Sequence, residues 1–431
     1  MKKMIAFLLV VLVSMSLFAN GSQEAASSAS GKTPVTLQVS IVETDWLDAW
    51  EDGMKPAFEA EYPWITLEAV SLGEEKRDYH ATHAASNDLP PVMQTDVGGL
   101  YYDLVDEGIL LDVSGYDAAA NIPQSYKDAY TYKGVLYGLT QGAAFDALFL
   151  NMAILKKAGW DKAPSNWDEF IQCCDDVVKK TGKAALTVAG AKNTTMWMPF
   201  ETIIVNVLGD KLGAGVYETQ IRSGKLDIVS EPEIAKRLGQ LAPYLMTGSS
   251  QNSEDDVTAI MAEGSCAMAI AGNWTASNIC SAIGTASGAE SNALMIVPPF
   301  NNAGKKVWLS ATPESAFGLS KVEDKNVAEA RDLFYNWLFK PENFKWIQNA
   351  RGTLPVLTDM TAAQVKLPDA VKVFSTATQS ANTFSMSFNN VTETVNNDVQ
   401  RALGDLFSGN KGAQETVAEI QKLYSADPWN K

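Results

Sequence analysis

The sequence has 431 residues, of which 46% are hydrophobic and 20% are charged, and its formal net charge is −17. This length exceeds what one hydrophobic core usually serves, so we expect two domains or lobes, and the composition excludes a disordered or fibrous chain. The acidic balance argues against nucleic acids and membrane surfaces as partners, because both present negative charge.

The N-terminus predicts export. Two lysines precede a short apolar run in residues 1–19, a pattern typical of a secretory signal peptide, and the run is shorter than the roughly 20 residues of a bilayer span. Residues 20–34 are small and polar and predict a flexible tether. Because no cysteine precedes Cys173, a lipid-anchor cysteine is not expected. The prediction is a periplasmic protein released by cleavage, with an uncleaved anchor as the alternative.

Strands and helices alternate through the next part of the chain. Residues 33–42, 64–72 and 92–96 are rich in apolar and β-branched side chains and predict strands, whereas residues 46–62 place Trp46, Trp50, Met54 and Phe58 at helical four-residue steps. Helices are also predicted near 79–88 and 99–107. This alternation predicts βαβ units, a mainly parallel sheet and an α/β fold.

Two later stretches, at about 140–150 and 308–318, are extended over more residues than one strand needs within a single lobe. Between them, Ser165 or Asn166 is placed to cap a helix, with Glu169 completing a capping box. Further helices are predicted at 200–208, 231–246 and 254–263 and, near the C-terminus, at 391–407 and 412–424.

The cysteines and histidines give no metal-binding pattern. The four cysteines lack CxxC spacing; Cys266 and Cys280 are placed where a disulfide is conceivable, although buried thiols are the preferred interpretation. The only histidines, His80 and His83, stand three apart on a predicted helix without a third ligand, so a solvated helix face is expected. We expect no metal and no cofactor.

Several blocks in order resemble one protein family. The stretch "YKGVLYGLTQGAAFDALFLNMAILKKAGWDKAPSNWDEF" resembles the central block of the family 1 extracellular solute-binding proteins, the maltose-binding-protein-like receptors of ABC importers. The likeness continues in "IMAEGSCAMAIAGNWTASN", "VPPF", "EARDLFYNWLFKPENFKWI" and "RGTLPV", and it covers nearly all of residues 35–425. The chain departs from the family at Leu150, where an aromatic is usual, and in "LTQG", where a proline usually follows the leucine.

This resemblance implies a type II periplasmic-binding-protein fold with two α/β lobes and a ligand cleft between them. Lobe one would comprise residues 35–142 and 316–362, and lobe two residues 147–312 and 366–431. The two long extended runs would be the hinge crossings, and lobe closure around the ligand would be read by the membrane permease. A monomer is expected.

Candidate ligand-binding residues follow from sugar chemistry and from the family's contact positions. Sugars are held by aromatic rings on their C–H faces and by carboxylates and amides on their hydroxyls, at the ends of strands in open sheets. The candidates are Glu43, Trp46, Asp96, Trp197, Asn273, Trp274, Glu314, Arg351 and Asn389.

Some candidates have a structural alternative. Trp46 shares the helical spacing of the core residues after it, and Asp96 is also placed to cap the next helix. Glu314 and Arg351 fall near the hinge, where an arginine–carboxylate pair would be structural. Trp274 is the strongest candidate, because a turn after a strand is a poor place to bury an indole.

The leading functional hypothesis is a non-enzymatic sugar receptor of an ABC importer. The first alternative is a receptor of the same fold for a non-sugar: a polyamine would suit the acidic candidates, whereas a phosphorylated polyol would need a cluster of arginines or lysines. The second is a secreted glycoside-cleaving enzyme, which needs two carboxylates across one glycosidic bond; the sequence singles out no such pair.

Overall fold

The computed structural model describes residues 32–42, 46–72, 76–86, 88–97, 99–191, 196–213, 216–351, 353, 356–361, 364–378, 381–384 and 390–426. The predicted signal peptide, most of the tether, Glu43 and Asn389 lie outside the described residues.

Thirteen strands are defined within this part of the chain. They are β1 Val35–Ile41, β2 Ile65–Ser71, β3 Val92–Thr95, β4 Thr131–Tyr132, β5 Val135–Leu136, β6 Leu139–Thr140, β7 Ala143–Asn151, β8 Ala184–Thr187, β9 Cys266–Gly272, β10 Ala293–Ile296, β11 Trp308–Pro313, β12 Ala316–Leu319 and β13 Asn382–Phe384.

The α-helices surround these strands. They are α1 Leu47–Ala49, α2 Lys55–Glu61, α3 Lys76–Ser86, α4 Gly99–Asp106, α5 Asp117–Ala120, α6 Gln124–Ala129, α7 Met152–Lys157, α8 Trp167–Thr181, α9 Trp197–Leu212, α10 Val216–Arg222, α11 Pro232–Leu241, α12 Glu254–Ala262, α13 Ala276–Ser287, α14 Lys325–Leu338, α15 Pro341–Arg351, α16 Asp369–Thr378, α17 Glu393–Phe407 and α18 Ala413–Ala426. The predicted helices are confirmed, with ends that differ by a few residues.

The strands form two main sheets, which confirms the predicted α/β fold. The first sheet has the order β2-β1-β3-β12-β6, with β1 parallel to β2 and β3 and with β12 antiparallel to β3 and β6. The second has the order β13-β11-β7-β9-β8, and β10 also pairs with β7. The prediction of a mainly parallel sheet is wrong for this second sheet, because β7 runs antiparallel to β9, β10 and β11.

The chain passes between the two main sheets three times; the third passage lies between β12 and β13, and the first two are adjacent to each other and form the hinge crossings. It leaves the first sheet at Thr140 and joins the second at Ala143, and it returns between Pro313 and Ala316. The two crossings are hydrogen-bonded to each other, since the Gln141 N–H donates to Ser315 O at 3.1 Å and the Glu314 N–H donates to Gly142 O at 2.9 Å. The antiparallel pairing of β7 follows from this route, because β7 enters from the other sheet and not through a helical crossover.

The predicted helix after β1 contains a π-helical segment, Trp50–Met54, between α1 and α2. Steps of four residues overshoot the 3.6-residue α-helical turn, whereas π-type hydrogen bonding lengthens the turn. The segment therefore keeps the four-residue series on one face, and the side chains of Trp46, Trp50, Met54 and Phe58 are all fully buried.

The predicted cap of α8 is confirmed at Asn166, whereas the return bond to the Glu169 side chain comes from the residue before the cap and not from the cap itself. Asn166 is the cap, and its Oδ1 accepts from the Glu169 N–H at 3.1 Å, while Glu169 Oε2 accepts from the Ser165 N–H at 2.9 Å. The bond to the Glu169 N–H satisfies an amide donor that the first helical turn leaves without a partner. The helix then lays its apolar face against the second sheet.

Candidate functional site

Trp274 lies directly after β9, on a short 3-10 turn formed by Asn273–Thr275. Its indole ring covers the α-carbon of Gly272: a Cβ on that glycine would lie 2.2 Å from Trp274 Cη2. The indole Nε1 donates to Glu254 Oε1 at 3.0 Å, on the first residue of α12. Trp274 is only partly buried, so glycine is required here to let a large ring lie flat at the end of the strand.

Asn273 fastens the first crossing to the end of β9. Its Oδ1 accepts from the Phe145 N–H at 2.7 Å and its Nδ2 donates to Ala143 O at 2.8 Å. The side chain thus continues the β7–β9 ladder past its last backbone pair, which joins Asp146 to Gly272. In this structure the Asn273 amide is engaged by the hinge backbone.

Glu314 and Arg351 form a buried ion pair at the second crossing. Arg351 Nη1 lies 2.7 Å from Glu314 Oε2, and the two side chains are only 3% and 5% exposed. Ser277, three residues after Trp274, donates to Arg351 O at 3.2 Å. The pair therefore connects the second crossing with the end of α15 and the start of α13.

Asp96 follows β3, as predicted, and is partly buried. Its Oδ1 accepts from Ser315 Oγ at 2.5 Å, so its carboxylate contacts the second crossing. Close by, Gln94 Nε2 donates to Gln141 Oε1 at 2.6 Å, which links the same strand end to the first crossing.

Trp46 and Trp197 lie in the apolar cores, and their rings are fully buried. Trp46 meets Phe317 edge to face at 6.2 Å, and Trp197 stacks against Tyr424 at 6.3 Å. This placement corrects the expectation of open ring faces at the cleft. The physical reason for Trp46 is the core-facing spacing of its helix, and Trp197 opens a helix whose first turns are entirely buried.

Asp146 is a polar residue of the crossings that the sequence reasoning missed. All nine residues of β7 are buried, and Asp146 is the only charged one. Its Oδ2 accepts from Thr202 Oγ1 at 3.2 Å, while its Oδ1 has no hydrogen-bond partner within the described part of the chain. Burial raises the pKa of this carboxyl to about 8, against a smaller lowering by the Thr202 hydrogen bond. The signal was a single acid within the run "AAFDALFLN".

Ser310 lies on the same face as Asp146. The pairing of Ala311 with Phe145 places Ser310 across from Asp146, one position beyond the paired residues. Ser310 is fully buried, and in the described ranges its Oγ has no hydrogen-bond partner. Because Gly272 is the partner of Asp146 on the other side, this polar pair lies on the face of the sheet that Trp274 covers.

The structure thus brings Asp96, Asn273, Trp274, Glu314 and Arg351 to the two crossings. Trp46 and Trp197 belong to the cores, and Glu43 and Asn389 are outside the described residues. The arrangement offers carboxylates, amides and one partly buried aromatic ring where the two sheets meet.

The four cysteines are free and buried, so Cys266 and Cys280 are not bonded to each other. His80 is 1% exposed, so the prediction of a solvated face is wrong for it, and His83 stacks on Tyr79 at 3.9 Å. Within the ranges that the structure describes, no group of three or more histidine, cysteine or acidic side chains is arranged to hold a metal ion. In those same ranges no helix has both the length and the apolarity that a membrane crossing requires.

Comparison with known proteins gives one family and one fold. A family model described as bacterial extracellular solute-binding protein matches residues 54–375. No curated protein matches the chain in sequence.

Solved structures similar to the chain include three two-lobe binding proteins. One is a chitin oligosaccharide binding protein, with 16% identity, 91% of this chain and 99% of that chain covered, and a TM-score of 0.77. Another is RafE in complex with raffinose, with 16% identity, coverages of 92% and 100%, and a TM-score of 0.75. The third is maltose-bound MalE3 of T. maritima, with 16% identity, coverages of 90% and 98%, and a TM-score of 0.72. At these identities the likeness shows the fold.

Proposed function

The chain belongs to the bacterial extracellular solute-binding protein family, and we propose that it binds a mono- or oligosaccharide between its two lobes. It then delivers the sugar to the membrane permease of an ABC importer. It acts as a monomeric, non-enzymatic receptor in the periplasm, exported by the signal peptide in residues 1–19. Its lobes are residues 35–142 with 316–362 and residues 147–312 with 366–431.

The observation that carries this proposal is Trp274 on Gly272 beside the polar crossings. A partly buried indole that lies flat at a strand end provides an apolar platform of the kind that sugar C–H faces require. The carboxylate of Asp96 supplies an acceptor for ligand hydroxyls at the neighbouring strand end. A chitin oligosaccharide binding protein, RafE in complex with raffinose and maltose-bound MalE3 share this fold.

The lobe boundaries rest on the strand membership. The chain changes sheet between β6 and β7, between β11 and β12 and again between β12 and β13, and these are the places where the proposed lobes meet. Motion about the two adjacent crossings would open and close the cleft as a hinge.

The first alternative is a receptor of the same fold for a polyamine or another non-sugar solute, and Asp96 is the observation that favours it. A glycoside-acting enzyme is less well supported, because the crossing carboxylate of Glu314 is held by Arg351. A glycosidase needs two carboxyl groups available to one glycosidic bond.

A thermal-shift screen tests the proposal. The purified mature protein would be melted with maltose, raffinose, a chitin oligosaccharide, sorbitol and spermidine, since a ligand that binds only the folded state raises the melting temperature. A shift with a sugar, and no sugar cleavage after long incubation, is the expected result. A shift with spermidine alone would overturn sugar binding, and release of cleaved sugar would overturn the non-enzymatic role.

A further inference from the structure

Gln141 carries a buried amide donor at the first crossing. The residue is 1% exposed, its backbone N–H donates to Ser315 O at 3.1 Å, and its side-chain Nε2 has no hydrogen-bond partner among the residues that the structure describes. Most buried side-chain polar atoms in folded proteins are hydrogen-bonded, so an amide nitrogen left without an acceptor requires an explanation.

The orientation of this amide is fixed by a chain of hydrogen bonds. The Val42 N–H donates to Gln94 Oε1 at 2.6 Å, and because a backbone N–H can only donate, that atom of Gln94 must be the oxygen. The Gln94 nitrogen then donates to Gln141 Oε1 at 2.6 Å. The Gln141 oxygen is therefore occupied, and its nitrogen, with two N–H donors, is the end of the chain that has no acceptor.

Gln141 lies at the carboxyl ends of the strands of the first sheet, where a ligand is expected. Val42 follows β1, Gln141 follows β6, and Asp96 follows β3, so the three lie at one edge of the sheet. Ligands of open α/β sheets bind outside the carboxyl ends of strands. Ser315 links Gln141 to Asp96, since its carbonyl accepts from the Gln141 N–H and its hydroxyl donates to Asp96.

We propose that Gln141 is a specificity-determining residue whose side-chain nitrogen donates to an oxygen of the bound ligand, so that the site selects hydroxyl-bearing ligands over polyamines. The inference rests on the proposed function. A sugar hydroxyl both donates and accepts, and it would accept from Gln141 while donating to a carboxylate such as Asp96. A protonated polyamine has donors only, and it leaves the Gln141 nitrogen without a partner.

The shielding of Gln141 from solvent is consistent with this role. Gln141 belongs to the first crossing, and the proposal requires that opening of the lobes uncovers its side chain and that closure around a ligand covers it again. A site that is built to hydrogen-bond a ligand oxygen rejects a ligand without that oxygen, because the buried donor then stays unpaired.

Two substitutions and one control test the proposal by calorimetric titration with maltose, raffinose, a chitin oligosaccharide and spermidine. Gln141→Glu keeps the oxygen that accepts from Gln94 and replaces the donor with an acceptor. Gln141→Met keeps the chain length and removes both functions, and it guards against misfolding caused by a buried charge. Gln414→Glu makes the same charge change at an exposed position of α18. Circular dichroism melts establish that each variant is folded.

Loss of the donor should weaken sugar binding by about tenfold or more in both Gln141 variants, while Gln414→Glu binds like the wild type. Gln141→Glu should also gain affinity for spermidine, a change that a merely structural role would not produce. Wild-type sugar affinity in both folded variants would overturn the inference and leave the proposed function intact. If no sugar of the panel binds the wild-type protein, the proposed function is overturned and the inference falls with it.

Discussion

The buried acid on β7 makes a quantitative prediction for the variant Asp146→Asn. Burial raises the pKa of the Asp146 carboxyl to about 8, whereas in the unfolded chain an aspartate titrates near pH 4. Between these values the folded protein holds a proton that the unfolded chain has released. The contribution of Asp146 to the free energy of unfolding is therefore fully present below about pH 4, and it is lost as the pH rises towards 8.

The magnitude follows from proton linkage. One proton bound only by the folded state lowers the free energy of unfolding by about 1.4 kcal/mol for each pH unit. Asparagine has the same shape as aspartic acid and does not titrate in this range. The stability of Asp146→Asn relative to the wild type should therefore rise by about 3 kcal/mol between pH 5.5 and 7.5, and it should level off above about pH 8.5.

Urea unfolding followed by tryptophan fluorescence, at six pH values from 5 to 9, measures this difference. Because the other titrating groups are shared, their contributions cancel when the two proteins are compared at each pH. Asp106→Asn is the matched control, because Lys133 holds the pKa of the exposed Asp106 carboxyl below its usual value. The difference in the free energy of unfolding between Asp106→Asn and the wild type should therefore stay constant above about pH 5.5. A flat difference for Asp146→Asn would refute the reasoning.

Three further substitutions test the crossings. Trp274→Ala should weaken sugar binding by about tenfold or more, measured by titration, and should change the stability measured by urea unfolding much less. A large loss of stability with little change in sugar affinity would instead make the indole a core residue. Gly272→Ala places a Cβ 2.2 Å from the Trp274 ring, so it should displace the ring, and unchanged fluorescence and sugar affinity would contradict this. Glu314→Gln removes the charge of the carboxylate that lies 2.7 Å from Arg351 Nη1 and should cost about 3–5 kcal/mol of stability. The double variant Glu314→Gln/Arg351→Met should recover part of this loss, and equal losses in the two variants would refute the pairing.

Local sequence patterns predicted much of the fold, because they reflect burial. The strand-like run before Asp96 is the buried strand β3, which ends at Thr95. The small-residue run before Asn273 is the buried strand β9, which ends at Gly272. The helix cap at Asn166 was equally readable, since it depends on residues only three apart. Such features are set within one element.

The roles of single side chains depend on partners far away in the chain, and the sequence does not show those partners. Asn273 was predicted as a ligand contact, yet its amide bonds to a strand about 130 residues earlier. Tryptophan is a residue type typical of sugar-binding sites, whereas the sequence spacing of Trp46 is typical of a core residue. In the structure Trp46 lies in the core, as its spacing indicates. The sequence does not identify Gln141 as a candidate, because the orientation of its side-chain amide depends on the hydrogen bonds that Val42 and Gln94 donate.

The place of β12 in the first sheet has a consequence for the order in which the chain is made. β12 lies between β3 and β6, although it is synthesised about 175 residues after β6. Until it arrives, the emerging chain holds two unpaired strand edges that are open to association with other chains. The later strands β7 to β10 already have each other as partners by then. The sheet that begins first therefore stays open until β12 is made, and a chain truncated before residue 316 cannot close its N-terminal sheet.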